Sequence, residues 1–131
     1  MKLVCEHPFM DRPSPVFAGS HVTLETGTGI VHIAPGHGAE DYEFGQTHHL
    51  ETLCPIDDAG RFLKDSLKAS PFETIRALEG VNVKEANPLI VAFMKEQGIL
   101  LNTVTDAVVH SYPHCWRCKK PIIFRATQQW F

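Results

Sequence analysis

His32 and Asp41 stand nine positions apart in the stretch TGTGIVHIAPGHGAEDYEFG, residues 26–45, which also carries five glycines and two further carboxylates, Glu40 and Glu43. An imidazole and a carboxylate converging on one place can orient a polar substrate, hold a cation or steer a water. Gly27, Gly29, Gly36 and Gly38 let a ligand approach the main chain where a Cβ would collide. The N–H groups of such a loop suit an anion or a ribose edge. No Gly-Lys-Ser/Thr follows, and the dinucleotide fingerprint is missing too, so a phosphate cradle is a weak reading. Each residue also has a plainer role: His32 as a core or edge histidine bonded to backbone, Glu40 and Asp41 as first-turn carboxylates of a helix, His37 as a turn residue. One consideration lifts the pair above those roles. A strand end and the start of the next helix are neighbours across a short loop, so His32 and Asp41 can face one cleft, with Asp41 placed to pair with an α-ammonium.

A second cluster lies near the far end. Cys115-Trp116-Arg117-Cys118 has the spacing of a zinc knuckle, but a structural zinc takes four ligands and this pair supplies two. His110 and His114 are close enough in sequence to complete a set only if the loop folds tightly on itself. Two free thiols at a turn is the competing reading.

The elements that must position these residues follow from local patterning. Pro8, Pro13 and Pro15 divide the first segment into an extended piece and a turn. His21 to Glu25 alternates and is β-branched, Gly27-Thr28-Gly29 is a turn, and Ile30 to Ala34 is a second strand, which together predict a hairpin. Pro35 to Gly38 breaks that strand, and Ala39 to Leu50 predicts a helix with acids in its first turn. Leu53 to Ile56 reads as a short strand and Asp57 to Gly60 as a turn leading into Arg61-Phe62-Leu63. A helix is predicted from about Pro88 to Gln97, capped by Asn87, with Pro88 at its first position and Gly98 after its end. Leu100 to Val109 and Ile122 to Phe124 are further strand candidates. Without regular βαβ alternation, the pattern predicts an α+β fold: a mixed or antiparallel sheet, or a partial β-barrel, with helical insertions.

The whole chain sets bounds on this. Its 131 residues, 44% hydrophobic and 21% charged, suit one domain with a modest core and do not indicate disorder. A net charge of −3 gives no global basic face, so charge does not signal a nucleic-acid partner, although a local patch can still grip a strand end. No run is long enough to cross a bilayer and no signal peptide opens the chain. Cys5, Cys54, Cys115 and Cys118 lack the spacing of a secreted scaffold, which predicts reduced thiols in the cytoplasm. Both ends look cut, as though taken from something longer.

The stretch GTGIVHIAPGHGAEDYEFG resembles the editing-site segment of isoleucyl-tRNA synthetases, and the likeness continues through LVCEHPFM, GVNVKEAN, HSYPHCWRCKKP and PIIFRATQQWF over nearly the whole chain. Related segments occur in the valyl and leucyl enzymes, and histidine at position 32 points to the isoleucyl branch. The resemblance implies a part of the insertion that hydrolyses tRNA carrying the wrong amino acid. Such a step is needed because one missing methylene is worth only about 1–3 kcal/mol in a binding pocket, a figure whose standard example is this same family. Carried onto this sequence, the resemblance implies that Asp41 holds the α-ammonium of the misattached residue. His32 lines the pocket and helps to exclude isoleucine. Gly27, Thr28 and Gly29, together with Gly36, His37 and Gly38, shape the place of the terminal adenosine. The implied partners are the 3′ end of tRNA(Ile) with misattached valine and the remainder of a synthetase chain, with no membrane.

Two departures qualify the resemblance. The threonine-rich strand that completes the family's pocket is missing, as are the histidine-glycine and lysine-serine signatures of the synthetic centre, so little or no independent activity is expected. No cofactor is implied for editing. Zinc at Cys115 and Cys118 belongs to the parent enzyme, where a second Cys-x-x-Cys completes the site, and ATP and magnesium belong to the synthetic domain. Residues 1–109 are implied to form the C-terminal portion of the editing domain and residues 110–131 the return segment towards the catalytic core. A small zinc-binding or structural module without catalytic activity is the alternative.

Overall fold

The computed structural model describes residues 3–25, 28–101 and 111–130. Residues divide into two compact units, the first Met1–Val31 with Pro55–Thr103 and the second His32–Cys54 with Val104–Phe131.

In the first unit, β1 (Val4–Glu6) pairs antiparallel with β2 (Pro13–Pro15), in the register Val4↔Pro15, Cys5↔Ser14 and Glu6↔Pro13. Proline cannot donate to a ladder, which suits β2 to the edge of a two-stranded ribbon. The connecting turn is held by His7, whose Nδ1 accepts the N–H groups of Phe9 and Met10 at 3.3 and 3.1 Å. The Asp57–Gly60 turn forms as the sequence predicts: Asp57 Oδ1 accepts the N–H groups of Ala59 and Arg61, both at 2.8 Å. Gly60 there takes φ +72°, where a side chain is disfavoured.

A short helix (Glu73–Arg76) and a long one (Val83–Glu96) supply most of the core. Ala86, Ile90, Phe93 and Met94 recur at helical spacing along one face. Ala86 and Phe93 bury fully with Leu67, Ile75 and Leu78, and the Phe72 and Phe93 rings meet edge to face at 4.8 Å. Buried Ser70 is fully engaged: its hydroxyl donates to the Phe9 carbonyl at 2.6 Å and accepts the Phe72 N–H at 3.2 Å. That bond fastens the β1–β2 turn to the helical part.

Among its described residues the second unit holds one helix, Ala39–Thr47, preceded by the Pro35–His37 turn. In chain order the helices are α1 (Ala39–Thr47), α2 (Glu73–Arg76) and α3 (Val83–Glu96).

Several expectations need correction. The His21–Glu25 and Ile30–Ala34 segments are irregular in their described residues and form no hairpin. Alternation specifies a strand only when one face is buried, and here Leu24 and Ile30 are 88% and 84% exposed. Leu53 to Ile56 contributes a single bridge, Ile56↔Phe62, and Ile122 to Phe124 none. Helix α3 begins five residues before the predicted start, with Asn82 as N-cap accepting the Lys84 N–H at 3.1 Å, and it runs through Pro88. Its end is as predicted. Gly98 at φ +67° donates to Lys95 and Ile99 to Met94, at 3.1 Å each, closing a Schellman motif. The Leu100–Val109 expectation falls almost wholly outside the described residues. Helices with a small antiparallel sheet are what the described residues contain.

Candidate functional site

The site residues that can be described together belong to the second unit. Its Pro35-Gly36-His37-Gly38 loop turns sharply, with the His37 N–H donating to the Ala34 carbonyl at 2.8 Å. The turn packs so closely that side chains are refused at two places. A Cβ on Gly36 would overlap the Leu53 carbonyl, and one on Gly45 of α1 would sit 2.9 Å from the Pro35 ring. Glycine at 36 therefore serves a close backbone approach, since its neighbour is main chain and cannot turn aside.

Asp41 is the third residue of α1 and half-buried. Its Oδ2 accepts the Ala34 N–H at 3.3 Å, so the carboxylate folds back over the loop and ties it to the helix start. A Cβ on Gly38 would stand 2.8 Å from that same oxygen, so glycine leaves the room the carboxylate occupies. No cationic side chain pairs with Asp41 among the described residues, and its charge is available to a cation from outside. His32 is exposed and irregular in backbone.

His37 reaches across the unit. Its Nδ1 lies 2.9 Å from the Phe124 carbonyl, and because a carbonyl can only accept, Nδ1 carries the proton. The Ala126 N–H donates to the Gly36 carbonyl at 2.8 Å. These two bonds lay residues 124–126 along the loop and form the far wall of an open cleft of about 650 Å³. Gly36 and Gly38 line it, with Tyr42 and Glu43 from α1 and Phe124, Arg125 and Gln128 from the wall. Thus Gly36, His37, Gly38 and Asp41 are brought into one loop-and-helix assembly. His32 and Asp41 are not among the residues lining the cleft. Thr28 and Gly29 lie in the other unit, with Gly29 at φ +73°, and Gly27 lies outside the described residues. Sequence reasoning missed the contribution of residues 124–129, because nothing local signals a pairing across 87 positions.

Cys115 and Cys118 sit on a separate hairpin-like turn. The Cys115 N–H donates to Lys120 and the Lys119 N–H to Cys115, both at 2.8 Å, and His114 bridges Pro121. The Cys118 N–H, then that of Arg117, then the Cys118 thiol point at the Cys115 sulfur and hold its thiol below the ordinary range. His114 Nδ1 is engaged with the Tyr112 carbonyl at 2.7 Å, and His110 lies outside the described residues. Among the described residues no group of three or more His, Cys, Asp or Glu is placed to hold a metal. The two sulfurs fit half of a tetrahedral thiolate site, and further ligands must come from elsewhere.

With this geometry in hand, comparison with known proteins is informative. Residues 1–95 match the family model described as leucyl-tRNA synthetase, editing domain. The chain is similar to the isoleucine–tRNA ligase of Nitratidesulfovibrio vulgaris (strain DSM 19637 / Miyazaki F), 55% identical over 98% of this chain and 13% of the relative. It is 50% identical to that of Moorella thermoacetica (strain ATCC 39073 / JCM 9320) over the same shares, 98% and 13%. It is 51% identical to that of Persephonella marina (strain DSM 14350 / EX-H1), over 95% of this chain and 12% of the relative. The chain thus spans about an eighth of the length of these curated relatives.

Proposed function

We infer the function from one premise: this chain belongs to the family of leucyl-tRNA synthetase editing domains. It carries part of a site that hydrolyses misacylated tRNA, with valine on tRNA(Ile) as the substrate, in keeping with its likeness to isoleucine–tRNA ligases. The observation that carries this reading is the family match over residues 1–95, which includes the whole His32–Asp41 segment.

In the reaction a water oxygen attacks the ester carbonyl carbon, the bond to the ribose oxygen breaks, and that oxygen takes the proton. Valine and uncharged tRNA leave. Asp41, half-buried and without a cationic partner among the described residues, binds the α-ammonium and fixes the ester relative to the water. His32 borders the side-chain pocket and rejects the larger isoleucine. Gly36, His37 and Gly38 hold the loop against which the terminal adenosine lies. No cofactor enters this chemistry.

The finer architecture belongs to the same proposal. Residues 1–109 are the C-terminal portion of the editing domain and residues 110–131 the return segment towards the synthetic core. The partial β-barrel takes its further strands from outside the described residues. The partners are the 3′ end of tRNA(Ile) and the rest of a cytoplasmic synthetase, whose synthetic centre uses ATP and magnesium. No described helix is long and apolar enough to cross a membrane.

The test is deacylation of valyl-tRNA(Ile) by a full-length isoleucine–tRNA ligase carrying this segment, with and without Asp41→Ala. Hydrolysis should fall by about two orders of magnitude when the carboxylate is removed. Unchanged hydrolysis would overturn the assignment. The converging N–H groups at the Cys115 sulfur favour a second reading for residues 111–121, a zinc knuckle shared with thiolates from outside the described residues. Zinc would supply a structural cross-link there, and metal analysis of Cys115→Ser and Cys118→Ser variants tests it.

A further inference from the structure

We propose that the cleft between α1 and residues 124–129 is a subsite for one unpaired nucleotide, the one preceding the terminal adenosine of the bound strand. This rests on the editing reading above and adds to it a place for the substrate that neither His32 nor Asp41 provides.

The cleft has the size and the chemistry. Its volume of about 650 Å³ admits a nucleoside and its phosphate. Tyr42 and Phe124 line it from opposite elements, and both are large rings left 44% and 46% exposed. Aromatic faces in that position accept any base by stacking. Gln128 adds side-chain amide donors and an acceptor for a base edge, and Arg125 adds positive charge to the same wall.

Placement agrees with that occupant. Asp41 and Tyr42 are consecutive, so the stacking wall begins one residue from the acid that would hold the ester's ammonium. The far wall is already fixed to the catalytic loop through His37 Nδ1 to Phe124 O and Ala126 N to Gly36 O. A base entering this slot meets a preformed surface, which lowers the ordering cost of binding. Glu43 also lines the cleft and its charge opposes a phosphodiester, which gives the hypothesis a sign that can be checked.

The experiment uses the 131-residue chain and a fluorescently labelled tetraribonucleotide of sequence ACCA, with anisotropy read at low salt. Tyr42→Ala should weaken binding about tenfold, and Tyr42→Phe should stay within about twofold of the parent. Glu43→Gln should tighten binding by about twofold or more. Absence of binding by the parent chain, parent-like binding by Tyr42→Ala, or weaker binding by Glu43→Gln would each overturn the subsite. The last result points instead to a cationic peptide as occupant. Circular dichroism of these surface variants separates lost contact from lost fold. The editing reading fails independently, through unchanged valyl-tRNA hydrolysis by Asp41→Ala in the full-length ligase, whatever the oligonucleotide does.

Discussion

Asp41 combines two tasks that a substitution series can separate. Its Oδ2 accepts the Ala34 N–H, and on the proposed reading its charge binds the α-ammonium. Asp41→Asn keeps an acceptor for Ala34 and removes the charge, so thermal stability of the chain should hold while hydrolysis in a full-length ligase falls. Asp41→Ala loses the bond as well and should unfold about 1 kcal/mol more easily in urea. Gly36 makes the opposite point, since its importance is steric. A methyl group there strikes the Leu53 carbonyl, and Gly36→Ala should destabilise the chain by about 1–3 kcal/mol without changing any charge. Thiol chemistry gives a pH-dependent outcome. The N–H groups of Cys118 and Arg117 lower the Cys115 thiol's pKa, so more thiolate is present at a given pH. Alkylation by iodoacetamide at neutral pH should label Cys115 before Cys118, and the Cys115 rate should fall as pH drops through the lowered value. A depressed pKa also means that the associated stability is present at high pH and is lost as pH falls through the folded-state value.

At the scale of elements, α3 shows what local patterning can and cannot carry. Its amphipathic spacing and its Gly98 stop were legible, because both depend on residues within a turn or two. Its start was not. Proline favours the first helical position, which drew the predicted boundary to Asn87 and Pro88, while burial of Ala86 in the Ile75–Phe93 cluster extends the helix back to Val83. Asn82→Ala should therefore cost about 1 kcal/mol in urea unfolding, since it loses the cap and the bond from Nδ2 to the Ala59 carbonyl. Asn87→Ala should be close to neutral. The predicted hairpin erred for a related reason. HVTLE and IVHIA have strand-forming composition, but strand character depends on what covers a face, and Leu24 and Ile30 face water. The packing of the loop against the start of α1 was readable because their residues are nearly consecutive. The Tyr42–Phe124 cleft was not, because its walls are far apart in sequence.

At the scale of the whole molecule, the two units differ in what holds them. The first has an apolar cluster around Ile75 and Phe93, with Ser70 and the Asp57 turn satisfying polar groups at its edge. Phe93→Ala should remove about 3–5 kcal/mol, enough to unfold that unit in mild urea. The second rests on backbone bonds and close contacts at glycine, so its amides should exchange with solvent sooner in a hydrogen-exchange experiment. Trp116 and Trp130 are 74% and 101% exposed.

The bond from His37 to Phe124 joins positions 87 residues apart. A ribosome adding about 5–20 residues per second needs roughly 4–17 s to deliver the second partner after the first. During that interval the PGHG segment exists while its wall has yet to be translated. Assembly of this pocket is therefore timed by the synthesis of residues 124–129, and a message stalled before them leaves the segment waiting for chaperones.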